Sequence, residues 1–430
     1  ILLILILKVG FAGLTMFSYL KNKYNKGKTL YIFSSSYALM GYIVVYYFNI
    51  MWLDAIYLAP LIMLGIDKII EGKKAWLYGI SLCLAIFSNY YIGYMLCIWS
   101  VLYFLYQLFL HFNIKRDKEK VISAITKFGI TSILAGCMTF VILLPSLYEM
   151  FINTSRVGAV EFSKNILNGN FFDHFARFYI GAHSKTNMLN QGTAALYTGL
   201  LILPLVYFYF VNKEIKIKER ILSGIVLLIL ISGLFVKPID YVWHGFSQMY
   251  GFHYRYSFII SMFLIILACR PFYKIKSIDL KHYLLFLSIF LIISNVIIIN
   301  KYIFLNIWSV YLSVVIMIIY LMLLRLYHFA SNKEKKLLST LLIFLVLAEI
   351  LFNFYFSIYK HEFESKDEYN ISYTTIVDQI NNIKPNDNEF YRIEKEIKCS
   401  YIDSLLMDYE GASVFLSTLN ENAKKIMTNT

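Results

Sequence analysis

Residues 243–258 bring together several side chains that could do chemistry. Trp243, His244, Tyr254 and Arg255 lie there, between two long apolar runs. A guanidinium presents a planar fork of donors that binds phosphate oxygens in pairs. We therefore predict that Arg255 binds a phosphate, and His244 could donate to that phosphate or shuttle a proton. The competing interpretation makes Arg255 an anchor for lipid headgroups.

Charged residues within or beside other apolar runs are further candidates, because a charge inside a bilayer is costly. Asp54 could take a proton from an incoming hydroxyl or hold a cation. It could equally be a carboxylate that the dipole favours at a helix N-terminus. Lys8 could bind the phosphate of a lipid, or it could extend its amine to the membrane interface. Glu349 lies inside a later apolar run and is predicted to pair within the helix bundle.

A third set of residues could contact a sugar or form the walls of a cleft. Aromatic rings suit the faces of a sugar ring, and polar side chains suit its hydroxyls. The same residues would also suit an aromatic belt at the membrane interface, with Glu149 as an interfacial cap. These candidates are Trp52, Asn89, Tyr90, Tyr91, Glu149, Trp243 and Tyr254.

No metal-binding pattern accompanies these candidates. Asp173, His174 and His183 form a loose set without the spacing of a metal site. No glycine-rich phosphate loop is present in the sequence either, which disfavours an ATP-driven pump. We therefore predict no metal site and no established cofactor, and leave open whether a divalent metal assists.

The elements that must position these residues are membrane helices. Of the 430 residues, 59% are hydrophobic and 16% charged, whereas soluble domains contain about a quarter charged residues. Apolar runs long enough to cross a bilayer recur along the chain. We predict an all-α polytopic membrane protein with about twelve transmembrane helices. The predicted spans are 1–20, 30–48, 52–66, 75–88, 92–112, 127–150, 194–211, 221–236, 256–269, 283–299, 303–324 and 337–357.

The net charge of +13 is distributed in a way that indicates topology rather than nucleic-acid binding. Lysine and arginine gather in every second loop, as they do in cytoplasmic loops of membrane proteins. This pattern predicts that Asp54, Asn89, the loops 151–193 and 237–255 and the C-terminal tail are extracytoplasmic. Four of the five cysteines lie within apolar runs, so we interpret them as packing residues.

Two domains are predicted: a multispanning domain at 1–357 and an extracytoplasmic domain at 358–430. The second domain is polar, and the alternation in FYRI at 390–393 predicts that it contains β-structure. Because Ile1 already lies inside an apolar run, we expect the chain to be part of a longer protein. The second domain would also be truncated at Thr430.

Five blocks in consistent order make the chain resemble the bacterial YfhO membrane-protein family. They are SYALMGY at 36–42, NIMWLD at 49–54, SNYYIGY at 88–94, WHGF at 243–246 and YRYSF at 254–258. The tail segments FYRIE at 390–394 and STLN at 417–420 look like the same family's extracytoplasmic region. The resemblance extends over essentially the whole chain.

The resemblance implies a GT-C type glycosyltransferase in the cell membrane of a Gram-positive bacterium. Such an enzyme takes a sugar from a polyprenyl-phosphate carrier at the outer leaflet. It transfers the sugar to a cell-envelope acceptor such as lipoteichoic acid or a related teichoic acid. GT-C enzymes usually carry a key acidic residue in the first extracytoplasmic loop, which here would precede Ile1. Asp54 is the best visible candidate for the acceptor-activating carboxylate.

Two other functions stay open at the level of sequence. A transporter or flippase of lipid-linked sugars would need polar groups on a path across the membrane. A non-catalytic scaffold for envelope assembly would need no reactive carboxylate. Most of the candidate charges lie near one predicted face, which favours chemistry at that face over passage.

Overall fold

A computed structural model describes residues 1–25, 27–152, 167–183, 192–246, 252–359, 365–383, 393 and 403–411, with the side chains of 149–152, 276 and 372 left out. Its contacts divide the chain into two units. The first comprises 1–142 and 161–361, and the second comprises 143–160 and 362–430.

The described part of the first unit consists of α-helices joined by 3₁₀ turns and irregular segments. Its first seven helices are α1 (Leu2–Tyr24), α2 (Leu30–Ala38), α3 (Gly41–Tyr46), α4 (Leu53–Ile70), α5 (Trp76–Ser88), α6 (Tyr90–His111) and α7 (Lys118–Met138). Helix α8 (Phe140–Ile152) crosses the boundary between the units. There follow α9 (Phe171–Phe175), α10 (Ile202–Val211), α11 (Ile217–Phe235), α12 (Lys237–Trp243), α13 (Ser257–Phe272), α14 (Leu280–Asn300), α15 (Ile307–Phe329) and α16 (Asn332–Ile358).

Seven helical segments in the described residues are long and apolar enough to cross a membrane. They are α1, the 3₁₀ turn and helix at Ile50–Ile70, α6, α7, α14, α15 and α16. Shorter apolar helices occur at Leu30–Tyr46, Trp76–Ser88, Ile202–Val211 and Ser257–Phe272. The prediction of an all-α membrane protein is therefore confirmed, but the predicted number of twelve spans is not.

Three predicted spans differ from the structure because their backbone is interrupted. The run at 30–48 breaks between α2 and α3, and the run at 127–150 breaks at Thr139, between α7 and α8. The run at 194–211 becomes helical only at Ile202. Hydropathy does not reveal these breaks, because each segment is apolar on both sides of its break.

The segment 192–201 is irregular and almost wholly buried. Irregular backbone at membrane depth requires protein partners for its polar groups. Glu349 of α16 supplies them: its Oε1 accepts from the Tyr197 hydroxyl at 2.6 Å and from the Leu200 amide at 2.7 Å. Its Oε2 accepts from the Tyr320 hydroxyl at 2.5 Å. The Gly41 amide, at the break between α2 and α3, donates to the Tyr197 carbonyl at 2.7 Å. The expected pairing of Glu349 within the bundle is thus present.

A second irregular segment, 179–183, is held by polar residues of α15 and α16. The Ile180 amide donates to Ser313 Oγ at 3.1 Å, and the Gly181 amide donates to Asn353 Oδ1 at 2.8 Å. Helices α15 and α16 therefore bind this backbone directly. Gly181 has φ +74°, which glycine adopts without steric cost.

A polar network joins α1, α4 and α6 at the end of these helices far from Asp54. Asp67 Oδ1 accepts from the hydroxyl of Tyr103 at 2.8 Å, and from the side-chain amide of Gln107. The Tyr103 hydroxyl bonds to that of Tyr19 at 2.7 Å, which accepts from Lys23 at 3.0 Å. Asp67, which is the only acidic residue of α4 besides Asp54, is therefore satisfied by hydrogen bonds within the bundle.

The described part of the second unit outside α8 is helical and small. Helix α17 (Lys366–Ile383) and helix α18 (Asp403–Leu406) are its elements. A cluster of Ile380, Met407 and Tyr409 forms its core, with Ile376 and Ile393 packed against it. These residues contain no strand, so the predicted β-structure is not confirmed, and most of the FYRI segment lies outside the described residues.

Candidate functional site

The candidate site lies where the N-terminal parts of α1, α4, α6 and α13 meet, which we call the Asp54 end. Asp54 is in the first turn of α4, where the helix dipole stabilises a carboxylate. Lys8 Nζ lies 2.8 Å from Asp54 Oδ2 and donates to the Ile50 carbonyl at 3.0 Å. The side chains of Lys8 and Asp54 are 17% and 15% exposed. The structure thus places the predicted base and one predicted phosphate ligand in a single ion pair.

Arg255 stands among aromatic rings at the same end. Its guanidinium carbon lies 4.9 Å from the ring centre of Tyr91, 5.1 Å from that of Trp52 and 5.9 Å from that of Phe252. Within the part of the chain that the structure describes, no carboxylate oxygen comes within salt-bridge distance of Arg255. A half-buried guanidinium in such surroundings favours an anionic ligand.

The backbone around Arg255 is fixed by local contacts. Arg255 Nε donates to the Phe252 carbonyl at 3.0 Å, and the Tyr46 hydroxyl donates to the His253 carbonyl at 3.1 Å. The Phe252 ring packs edge-on against Trp52 at 5.3 Å. These contacts connect the loop before α13 to the turn before α4. Arg255 and Trp52, which precedes Asp54 by two residues, therefore belong to one packed group of aromatic contacts.

Asn89, Tyr90 and Tyr91 are consecutive, but their side chains have different surroundings. Asn89 caps α6, where its Oδ1 accepts from the Ile92 amide at 2.9 Å. Tyr90 is half-buried, and Tyr91 contributes the ring nearest to Arg255. The structure thus brings Tyr91 and Trp52 to the guanidinium and gives Asn89 a role at a helix terminus.

Trp243 and Tyr254 are packing residues in the structure. They are 2% and 1% exposed. Trp243 stacks on Tyr256 with ring centres 4.8 Å apart. Gly233 leaves the space for both rings, since a Cβ there would lie 2.5 Å from the Tyr256 hydroxyl. The Tyr254 hydroxyl accepts from Asn168 at 2.6 Å. Both proposed contact residues therefore support the site from behind its surface.

His244 is also buried, at 0% exposure, and is paired with Asp240 four residues earlier on α12. Its Nδ1 lies 2.8 Å from the Asp240 carbonyl oxygen and 3.1 Å from Asp240 Oδ1. The imidazole lies between the rings of Tyr91 and Tyr256, at 6.3 and 5.8 Å. Its predicted contact with phosphate remains a prediction.

Sequence reasoning missed Asp240, Phe252 and Tyr46. Asp240 and His244 are four residues apart, a spacing that places them together once a helix is recognised. The structure has that helix, α12, with Pro238 in its first turn as is typical of helix starts. Phe252 and Tyr46 carried no signal beyond aromatic character, which is common throughout this chain.

The remaining predicted residues lie elsewhere. The side chain of Glu149 is outside the described residues. Asp173 accepts from the Tyr302 hydroxyl at 2.7 Å. Burial lowers the pKa of His174 to about 4 and lowers that of His183 well below its ordinary value. No group of three or more possible ligands with metal-binding geometry occurs in the described residues.

Comparison with known proteins identifies the chain by family. The model of the family described as "Bacterial membrane protein YfhO" matches residues 1–430. No curated protein and no solved structure matches the chain. The family match covers every block on which the resemblance rests, including the turn before α4 and the loop before α13. The chain therefore belongs to the bacterial membrane protein YfhO family.

Proposed function

We propose that this protein is a GT-C type membrane glycosyltransferase that uses a polyprenyl-phosphate sugar as donor. Its acceptor is a cell-envelope polymer such as lipoteichoic acid, and the Asp54 end, together with the C-terminal tail, faces the outer leaflet. The observation that carries this proposal is the environment of Arg255. The guanidinium is held by three aromatic rings and by one backbone carbonyl. That arrangement suits a phosphate on a lipid and a sugar stacked nearby.

The reaction can be assigned to the residues of this end. The acceptor hydroxyl oxygen forms a bond to the anomeric carbon while the bond from that carbon to the phosphate oxygen breaks. Asp54 takes the hydroxyl proton, and polyprenyl phosphate leaves with its negative charge on the phosphate. Arg255 stabilises that charge as it develops, which is where such a group contributes most to rate.

Lys8 has two roles in this proposal. In the absence of substrate it neutralises Asp54, as the 2.8 Å contact indicates. A bound phosphate offers Lys8 a second anionic partner, so the amine is shared between phosphate and carboxylate.

The arrangement of charges favours this function over a flippase. Asp54 and Asp67 occupy the two ends of α4, and residues 55–66 between them include no charged side chain. The thirteen residue-to-residue steps from Asp54 to Asp67 correspond to about 20 Å along the helix axis. A sugar crossing beside α4 would meet an apolar layer of that thickness. The distribution of charges on α4 therefore supports a reaction at the Asp54 end rather than transport of a sugar across the membrane.

The test is sugar transfer by the purified protein in nanodiscs, with a radiolabelled polyprenyl-phosphate sugar and a teichoic-acid acceptor. Arg255→Gln should reduce kcat/KM by roughly 10- to 100-fold, the loss expected for a hydrogen bond to a charged group. Arg255→Lys keeps the charge without the planar fork and should fall between that variant and the wild type. Lipid-linked sugar that crosses the bilayer without transfer would instead identify a flippase.

Arg325 provides a matched control. It also contacts aromatic rings, with its guanidinium carbon 4.3 Å from the Phe329 ring centre and 5.7 Å from that of Tyr283. Arg325 lies in the last part of α15, away from the residues of the Asp54 end. Arg325→Gln should leave transfer unchanged. Equal losses in the two glutamine variants, or no transfer by the wild type, would contradict the proposal, and the latter would favour a scaffold.

A further inference from the structure

Asp240 and His244 form a buried pair whose geometry fixes the imidazole ring. The contact of 2.8 Å to the Asp240 carbonyl oxygen requires a proton on His244 Nδ1. The Asp240 carboxylate, 3.1 Å from the same nitrogen, favours that arrangement further. The backbone carbonyl therefore fixes the tautomer and orientation of the ring, and the carboxylate adds its negative charge beside the same nitrogen. The two residues are 6% and 0% exposed, so neither is placed to contact a substrate directly.

The imidazole leads to Arg255 through one intermediate residue. The ring centres of His244 and Tyr91 are 6.3 Å apart, and Tyr91 lies 4.9 Å from the guanidinium carbon of Arg255. A second contact holds the two helices together, since the Tyr94 hydroxyl donates to the Val242 carbonyl at 3.0 Å. Tyr91 and Tyr94 are three residues apart and share one face of α6. Helix α12 therefore supports the face of α6 that carries the Tyr91 ring.

We propose that Asp240 and His244 are positioning residues for donor binding. They set the orientation of Tyr91, and Tyr91 holds the guanidinium of Arg255 in place for the phosphate of the donor. The inference rests on the proposed function for its substrate. Its direct readout, affinity for polyprenyl phosphate, does not require that transfer occurs.

The first experiment measures binding of polyprenyl phosphate to the full chain in nanodiscs. Asp240→Asn and His244→Gln should each raise Kd by roughly 3- to 30-fold, the range for coupled residues in contact. Asp240→Glu retains the carboxylate and should recover part of the affinity. Asp173→Asn is the matched control, because that aspartate also accepts a hydrogen bond at 2.7 Å but from Tyr302. It should bind like the wild type.

A double-mutant cycle separates positioning from general damage. In an Arg255→Gln background, Asp240→Asn should have little further effect on Kd, since both changes act through the same guanidinium. In the transfer assay, Asp240→Asn should raise KM for the donor while kcat stays within about twofold of the wild type. Additive losses, or a fall in kcat with unchanged KM, would overturn the inference.

Tyr91→Leu supplies a test that leaves α12 intact. It removes the ring between His244 and Arg255 and should reproduce the loss of affinity expected for Asp240→Asn. Combining the two substitutions should cause no further loss of affinity. If the α12 variants fail to fold, this substitution in α6 still decides the matter. Wild-type affinity in Tyr91→Leu would refute the path from His244 to Arg255. If polyprenyl phosphate binds through Arg255 but no sugar is transferred, the proposed function fails and the positioning role stands.

Discussion

The Lys8–Asp54 pair shows how a contact changes the chemistry of two side chains. The sequence predicts Lys8 as a phosphate ligand and Asp54 as a base, without indicating that the two side chains meet. In the structure they are 2.8 Å apart and mostly buried. Each charge lowers the cost of burying the other, and losing one leaves its partner uncompensated.

This contact predicts a measurable coupling in stability. Lys8→Met should destabilise the protein, and Lys8→Met combined with Asp54→Leu should restore much of that loss. For a pair this buried we expect a coupling of about 1–3 kcal/mol, read from thermal unfolding of the four proteins of the cycle. The exposed pair Lys73–Glu71, with side chains 63% and 46% exposed, is the control. Its cycle should give a coupling below about 1 kcal/mol. Equal couplings would show that the Lys8–Asp54 contact does not form.

Residue types in the sequence suggest candidates for a site, but they do not indicate which candidates are in contact. Arg255, Trp52 and Tyr91 each have a side chain that suits a phosphate or a sugar. Nothing in one sequence indicates that Trp52 and Tyr91 face the same guanidinium, because those contacts join segments far apart in the chain. Trp243 was selected for its ring, but burial directs that ring inward.

Among the elements, the irregular segments depend most on distant partners. The segment 192–201 donates hydrogen bonds to Glu349 and accepts one from Gly41, and these two partners lie in other parts of the first unit. A helix satisfies its own backbone, so apolar composition is enough to predict it. An irregular segment is stable only with such partners, and hydropathy cannot reveal them. For that reason the sequence predicted a continuous span at 194–211.

Removing one of these partners should loosen the segment. Tyr320→Phe deletes the 2.5 Å hydrogen bond to Glu349 Oε2, and Glu349→Gln replaces an acceptor oxygen with a donor. We expect losses of about 1–3 kcal/mol in stability, with faster hydrogen exchange at 192–201, because a buried polar group is left unsatisfied. The control is Tyr355→Phe, which changes an exposed tyrosine of α16, the helix that carries Glu349. It should have little effect. Unchanged exchange in Glu349→Gln would contradict this account.

For the whole molecule, buried histidines make stability depend on pH. Burial lowers the pKa of His174 from 6.5 to about 4. The unfolded chain therefore binds a proton below about pH 6.5 that the folded chain does not bind until about pH 4. Stability falls as the pH decreases through that window, because the unfolded state binds more protons there.

The corresponding prediction uses thermal unfolding at pH 7 and pH 5. The His174 contribution should account for a loss of about 2 kcal/mol between these values. His174→Gln should remove that part of the pH dependence, and the variant should lose less stability on acidification than the wild type. A wild-type slope in His174→Gln would show that the imidazole is not buried in its neutral form.

At this scale composition and hydropathy predicted the class of the molecule and most of its helices. They did not predict how many helices are long enough to cross a membrane, because several apolar runs are broken or short. The expected β-structure came from a brief alternation of side chains. In the described part of the tail, Ile380 of α17 instead packs with Met407 and Tyr409. Short alternations are weak evidence beside such contacts.

The uncharged stretch of α4 between Asp54 and Asp67 also has an energetic consequence. Moving one elementary charge across a membrane at 100 mV involves about 2.3 kcal/mol. With no charged side chain in residues 55–66, α4 offers no relay by which a proton taken up at Asp54 could reach Asp67. A proton released from an acceptor would return to the solution on the Asp54 side. The proposed sugar transfer would then neither draw on the proton-motive force nor dissipate it.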